Sequence, residues 1–252
     1  MMHNDREARI LIVQARGDAV ALFLSLYLGH ILGDFVFQPG RLVLAKRRRQ
    51  SAVLMHTGIV TVCTALVLSE SLRALWAAVL LTGIAHFCVE QLTIRARRLP
   101  DSSNLMVFFL DQGLHIVAIV LIAVASGAAV TPALGPWPVS LRALAVVAGV
   151  ATVAFGGSIV VFEVQVAREA VEPGPDRILG LDGGRVYGMT ERAAALLAAL
   201  LLPVPALGLL AFAPRALAAT FGPKDRRHQQ ATAVVTGLAL CTFTWVLVSL
   251  VG

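Results

Sequence analysis

Seven stretches of this chain, near residues 19–37, 51–69, 72–92, 105–126, 140–162, 188–213 and 231–251, each run apolar for about twenty residues. A helix needs roughly that length to cross a bilayer's hydrocarbon core, where every backbone N–H and C=O must find its partner inside the segment. Composition agrees: 58% of the residues are hydrophobic and 14% charged, against roughly 25% charged in a soluble domain, and the mean hydropathy is +0.80. The expected fold is an all-α polytopic transmembrane helix bundle of about seven spans, without a soluble catalytic domain. The first stretch holds His30 and Asp34 and runs into FQPGR rather than a small-residue cleavage site, so it reads as a retained helix and not a signal peptide. The longest connection, Arg168 to Gly184, is too short for a domain. Residues 1–252 therefore read as a single integral membrane domain, with a polar-site bundle at 19–126 and a second helical half at 140–251.

The net charge of +6 resides in short loops, where it sets orientation more simply than it binds nucleic acid. Arg41, Lys46, Arg47, Arg48 and Arg49 follow the first span, and Arg95, Arg97 and Arg98 follow the third. By the positive-inside rule, residues 41–49 and 95–101 should face the cytoplasm, with the N-terminus outside. The later loops conflict: Arg168, Arg177 and Arg185 lie before the sixth stretch, and Arg215, Lys224, Arg226 and Arg227 after it. Both groups cannot be cytoplasmic if 188–213 crosses once, and Pro203 with Pro205 marks where that segment would break. Cys63, Cys88 and Cys241 lie in apolar segments without CxxC spacing and are expected as small buried hydrophobes.

An ionisable side chain inside a bilayer costs roughly 3 kcal/mol or more, so it needs a reason to be there. Here such groups come in pairs: His30 with Asp34 in GHILGDF, His86 with Glu90 in AHFCVEQ, and Asp111 with His115 in LDQGLHI. Each pair is spaced i, i+4, one turn apart on one helix face, and His56 adds a fourth histidine on the second span. Counted from the basic loops, all seven lie in the same half of the membrane, with His30, His86 and His115 about a turn deeper. Four helices with these faces inward would gather them around one polar pocket, as in helix-bundle metal sites built from carboxylate and histidine. The order His30, Asp34, basic loop, His56 also echoes His86, Glu90, basic loop, His115, suggesting a duplicated hairpin.

These motifs also carry a family resemblance. His30, Asp34, Phe35 and Gln38 form H-x-x-x-D-F-x-x-Q, followed by Lys46, His56, His86 with Glu90, and D-Q-x-x-H at Asp111, Gln112 and His115. GRVYGMTER (Gly184, Arg185, Gly188, Glu191, Arg192) follows in the second half. In these features the chain resembles, over nearly its whole length, the bacterial polytopic membrane proteins catalogued as domain of unknown function 3307. The resemblance implies a multi-pass protein of a bacterial inner membrane and brings no established reaction; Glu90 stands where that family would have Asp.

Imidazole with carboxylate suits a divalent metal such as zinc, manganese or iron, and two such clusters would make a two-metal site that activates water. On that reading His30, His56, His86 and His115 are ligands, and Asp34, Glu90 and Asp111 are ligands or general base. The partners would be membrane lipid and a lipid-linked or phosphorylated substrate. Two alternatives stay open: a proton- or cation-coupled transporter, and a structural protein with a buried polar network. Gln38 and Gln112 read equally as partners that orient ligands or as interfacial polar groups. Lys46 with its neighbours reads as a topology signal before a patch for lipid phosphates. Glu191 and Arg192 read as an interhelical anchor, and Trp76, Trp137 and Trp245 as interfacial or packing residues.

Overall fold

The computed structural model describes residues 2–97, 104–130, 140–169 and 182–251, and these are helical almost throughout. Arg98, Trp137 and Arg177 lie outside the described residues. The elements are α1 (Met2–Ile31), which continues into a π-helical turn at Leu32–Val36, α2 (Gly40–Lys46), α3 (Gln50–Val67), α4 (Leu72–Ala96) and α5 (Asn104–Val130). There follow α6 (Leu141–Ala151), a second π turn at Thr152–Gly156, α7 (Gly157–Glu169), α8 (Gly183–Leu201), a 3-10 stretch at Pro205–Phe212, α9 (Ala213–Phe221) and α10 (Lys224–Val251). Among the described residues, six helices are long and apolar enough to cross a membrane: Gly17–Val36, Gln50–Val67, Ser69–Ala96, Leu105–Ser126, Leu141–Arg168 and Arg226–Val251.

The sixth apolar stretch does not run straight. After Leu201 the backbone leaves the helical region, with Leu202 at φ −86 and ψ 148, as the residue before Pro203 is pressed to do. The chain then folds back on α8. Gly208 sits so close to Ala195 and Ala199 that a Cβ there would collide with their backbone, and Arg215 on α9 bonds Glu191 on α8 at 2.8 Å. Residues 183–221 therefore make a helical hairpin whose two ends lie on the same side, which removes the sequence-level conflict between the basic loops before and after it.

Polarity is reversed relative to a soluble protein. Leu54, Val62, Trp76, Ile84, Phe109 and Leu121 are exposed, while His30, Asp34, His56, His86, Glu90, Asp111 and His115 are buried. Cys63 and Cys241 are buried as expected, but Cys88 is exposed. The inward stripe of α4 runs through His86, Glu90 and Thr93, and Cys88, two residues from His86, is turned about 200° away from it.

Helices α1, α3, α4 and α5 form a ring in which each packs on the next and α5 closes against α1. Small residues set the closest approach: an added Cβ at Gly29 or at Gly33 would stand 2.5 Å from Cα of Thr64 or of Val60. One end of the ring is filled by Leu22, Leu26, Leu68, Leu75, Val79 and Ile119; the polar cluster lies toward the other. The second half packs alongside, α6 against α1 through Leu144, Ala145 and Ala148. Arg192 of α8 reaches the π turn between α6 and α7, donating from Nε to the Val153 carbonyl at 2.6 Å and from Nη2 to the Ala154 carbonyl at 3.0 Å. It is the interhelical anchor its sequence context suggested.

Candidate metal centre

The three i, i+4 pairs face one another inside the ring. His30 Nε2 stands 3.7 Å from Asp34 Oδ2, His86 Nε2 3.9 Å from Glu90 Oε1, and His115 Nε2 3.7 Å from Asp111 Oδ1. Across the helices, His56 Nε2 lies 2.9 Å from Asp34 Oδ1, 3.3 Å from Glu90 Oε1 and 2.9 Å from His86 Nε2. The rings of His86 and His115 stack with centroids 4.3 Å apart. None of the seven residues exceeds 8% exposure.

The π turn positions Asp34. Its wider winding inserts a residue's worth of rotation at the end of α1, a device often found at functional sites, and turns Asp34 toward His56 while Phe35 points to the second half near Gly156. The tight contacts at Gly29 and Gly33 bring α1 and α3 close enough for that 2.9 Å approach.

A shell of uncharged groups fixes the cluster. With its amide oriented to suit its neighbours, Gln38 accepts from His56 Nδ1 at 3.1 Å and from Lys46 Nζ at 2.7 Å, and donates to the Asp34 carbonyl at 2.9 Å. Gln112 donates to Asp34 Oδ2 at 3.2 Å and to Asp111 Oδ2 at 3.0 Å. Thr93 Oγ1 donates to Asp111 Oδ1 at 2.8 Å. Gln38 and Gln112 thus orient the charged residues. Two members escaped the sequence reading: Thr93, whose signal was its place one turn beyond Glu90 on the same face, and Lys46. The Lys46 amino group bonds Glu90 Oε1 at 2.6 Å and is largely buried; it is more than a topology signal.

The proton count at the centre is informative. His56 Nδ1 donates to Gln38, so a neutral His56 carries its lone pair on Nε2, the atom that faces two carboxylate oxygens and His86 Nε2. The carboxylate oxygens only accept, so a proton or a metal cation must lie between them and that lone pair, while His86 Nε2 donates or accepts according to its tautomer. Buried His30 Nε2, His86 Nδ1 and His115 Nε2 have no hydrogen-bond partner among the described residues, although buried polar groups are nearly always satisfied. Three overlapping sets hold ligand atoms within 4.8 Å of one another: His30, His86 and His115; Asp34, His56, His86 and Glu90; and Asp34, Asp111 and His115. Each set is close enough to hold a metal ion, and Asp34 belongs to both that contain carboxylates.

A cavity of about 700 Å³ opens beside the cluster. Asp34, Glu90 and Asp111 line it together with Lys46, Arg47 and Arg97. The four histidines, expected to line the pocket too, instead lie behind the carboxylates, His30, His86 and His115 because each sits one turn from its carboxylate along the helix, and His56 because it packs against Asp34 and Glu90. Phe35, Phe108, Phe155, Ile159 and Val166 supply apolar wall.

Residues 22–135 match the family described as Protein of unknown function (DUF3307). The match covers α1 from Leu22 onward, α3, α4 and α5, and all seven cluster residues, as the motifs implied. It stops before α6, so GRVYGMTER lies beyond it and the resemblance is carried by the first half rather than nearly the whole chain. No curated protein and no solved structure gave a match to this chain.

Proposed function

We propose that the cluster is a divalent-cation centre, with Asp34 shared between two ligand sets, which hydrolyses a phosphate-bearing, lipid-linked substrate at the cytoplasmic leaflet of a bacterial inner membrane. The observation that carries this reading is the convergence on His56 Nε2 of Asp34 Oδ1, Glu90 Oε1 and His86 Nε2, with the far side of the imidazole already committed to Gln38. A metal-bound histidine characteristically donates its other N–H to an oxygen in this way. Bound cations would lower the pKa of a coordinated water and polarise a phosphoryl oxygen. The protein's own part is distinct: Asp111, steadied by Thr93 and Gln112, takes the water proton, while Lys46, Arg47 and Arg97 meet the phosphate. The aromatic and aliphatic wall accommodates the chain of a lipid. Water oxygen bonds phosphorus, the ester P–O bond breaks, and the products are phosphate and an alcohol.

A structural network draws on the Lys46–Glu90 pair, which satisfies one carboxylate without a metal, but it leaves three imidazole nitrogens without a partner among the described residues. Transport is disfavoured by the apolar residues that fill the ring beyond the histidines. Purified protein supplied with manganese or zinc should release inorganic phosphate from dioctanoyl phosphatidic acid, and Asp111→Asn should reduce that rate by roughly a hundredfold or more. Equal phosphate release by wild type and Asp111→Asn would remove the hydrolytic assignment.

A further inference from the structure

The segment GRVYGMTER takes no part in the cluster, yet four of its residues, Gly184, Arg185, Gly188 and Arg192, line a second cavity of about 220 Å³. This cavity lies between α7, α8, α9 and the start of α10, and it shares Ser158, Phe162 and Arg185 with the wall of the larger one.

Its charge is unbalanced. Arg192 is 3% exposed and spends Nε and Nη2 on main-chain carbonyls, which accept hydrogen bonds but carry no countercharge. The neighbouring carboxylate, Glu191, bonds Arg215 instead, and Asp182 caps α8 by accepting from the Arg185 main-chain N–H at 2.7 Å. Arg192 therefore has no ion-pair partner among the described residues, and a guanidinium does not escape the cost of burial by losing its proton. Arg215 spends Nε on Glu191 and Nη1 on Gln230 at 3.1 Å. The nitrogens left over, Arg192 Nη1 and Arg215 Nη2, converge on Gly188, where an added Cβ would stand 3.0 Å from the first and 3.4 Å from the second. The missing side chain at 188 is the space in front of both donors.

We infer that this cavity is an anion site, distinct from the metal centre, that takes a phosphate group through Arg192 Nη1 and Arg215 Nη2 over Gly188. Two guanidinium groups offering N–H donors to one small space suit a phosphate's several oxygens, and Ser158 adds a hydroxyl to the lining. Phosphate can arrive as the free ion or as a lipid headgroup, and both present the same chemistry to the pocket.

The test is the melting of purified, detergent-solubilised protein titrated with inorganic phosphate or with dihexanoyl phosphatidic acid, against chloride at equal ionic strength. Wild type should gain Tm saturably with at least one of the two. A response to free phosphate marks a soluble anion, and a response confined to the phosphatidic acid marks a headgroup. Gly188→Ala, which adds only a methyl group in front of the donors, should weaken the apparent affinity at least tenfold. Arg215→Lys, which keeps a charge for Glu191 but removes the fork, should weaken it as well. His86→Ala should retain the phosphate response in full, which separates this site from the proposed metal centre. No phosphate-specific shift in wild type, or an undiminished shift in both Gly188→Ala and Arg215→Lys, overturns the assignment.

Discussion

His56 Nε2 and Lys46 Nζ both approach Glu90 Oε1, at 3.3 and 2.6 Å. That oxygen can serve the lysine or a cation at the histidine cluster, and the two positive charges repel each other at such range. Replacing Lys46 by Met should therefore raise the affinity for manganese or zinc by about tenfold, about 1.4 kcal/mol, measured by calorimetric titration; unchanged or weaker binding would contradict the placement of a metal on Glu90. The site's charged members were legible from sequence because helical periodicity converts i, i+4 spacing directly into a shared face, and bilayer energetics makes every buried charge conspicuous. Lys46 was not legible in the same way. It belongs to a basic run that topology alone explains, and only the turn of α2 beneath the bundle brings its amino group to Glu90, forty-four residues away.

Between elements, the approach of α1 to α3 governs whether the cluster can form at all. Gly29 and Gly33, one turn apart, let the backbones come within van der Waals reach at Thr64 and Val60, and the next residue after Gly33 is Asp34. Gly33→Leu should push these helices apart, lengthen the Asp34–His56 contact and cost roughly 1–3 kcal/mol or more through overpacking, read as a lower Tm in detergent together with loss of metal response. A variant that melts like wild type and still binds metal would show that the contact does not position Asp34. Six of the seven apolar stretches stand as crossing helices where hydropathy put them, and the break in the sixth was signalled by Pro203 and Pro205. The return of the chain as α9 was not readable, because it depends on Gly208 meeting the backbone of α8 at close range, a tertiary contact with no local signature. The π turns at Leu32–Val36 and Thr152–Gly156 were invisible for a similar reason: they are local underwindings selected by what they face, Asp34 toward His56 and the Val153 carbonyl toward Arg192.

For the molecule as a whole, the α8–α9 hairpin makes a single orientation consistent with the basic groups at 41–49, 95–98, 168–185 and 215–227. Lys46, Arg47, Arg97 and Arg185 all border the same cavity, and Arg215 reaches Gln230 at the foot of α10. Cysteines placed at Ser102 and at Lys224, in a background lacking the native three, should both resist an impermeant thiol reagent applied to intact cells, while one placed at Glu70 should react. Labelling at Ser102 or Lys224 would reverse the orientation and move the cluster to the outer leaflet. The central claim, that the buried histidines and carboxylates hold a divalent cation, is tested most directly by melting wild-type protein and His86→Ala with and without added zinc or manganese, at pH 7.5 and pH 5.5. Protonated imidazole cannot bind metal, so affinity should fall as pH drops through the ordinary histidine range near 6.5. The account predicts a metal-dependent rise in Tm for wild type at the higher pH, a much smaller one at the lower, and none for His86→Ala, since stabilisation by a ligand requires the intact site. Wild-type protein that carries no stoichiometric metal and melts at the same temperature with and without it at both values would contradict the account and leave the cluster as a hydrogen-bonded network between helices.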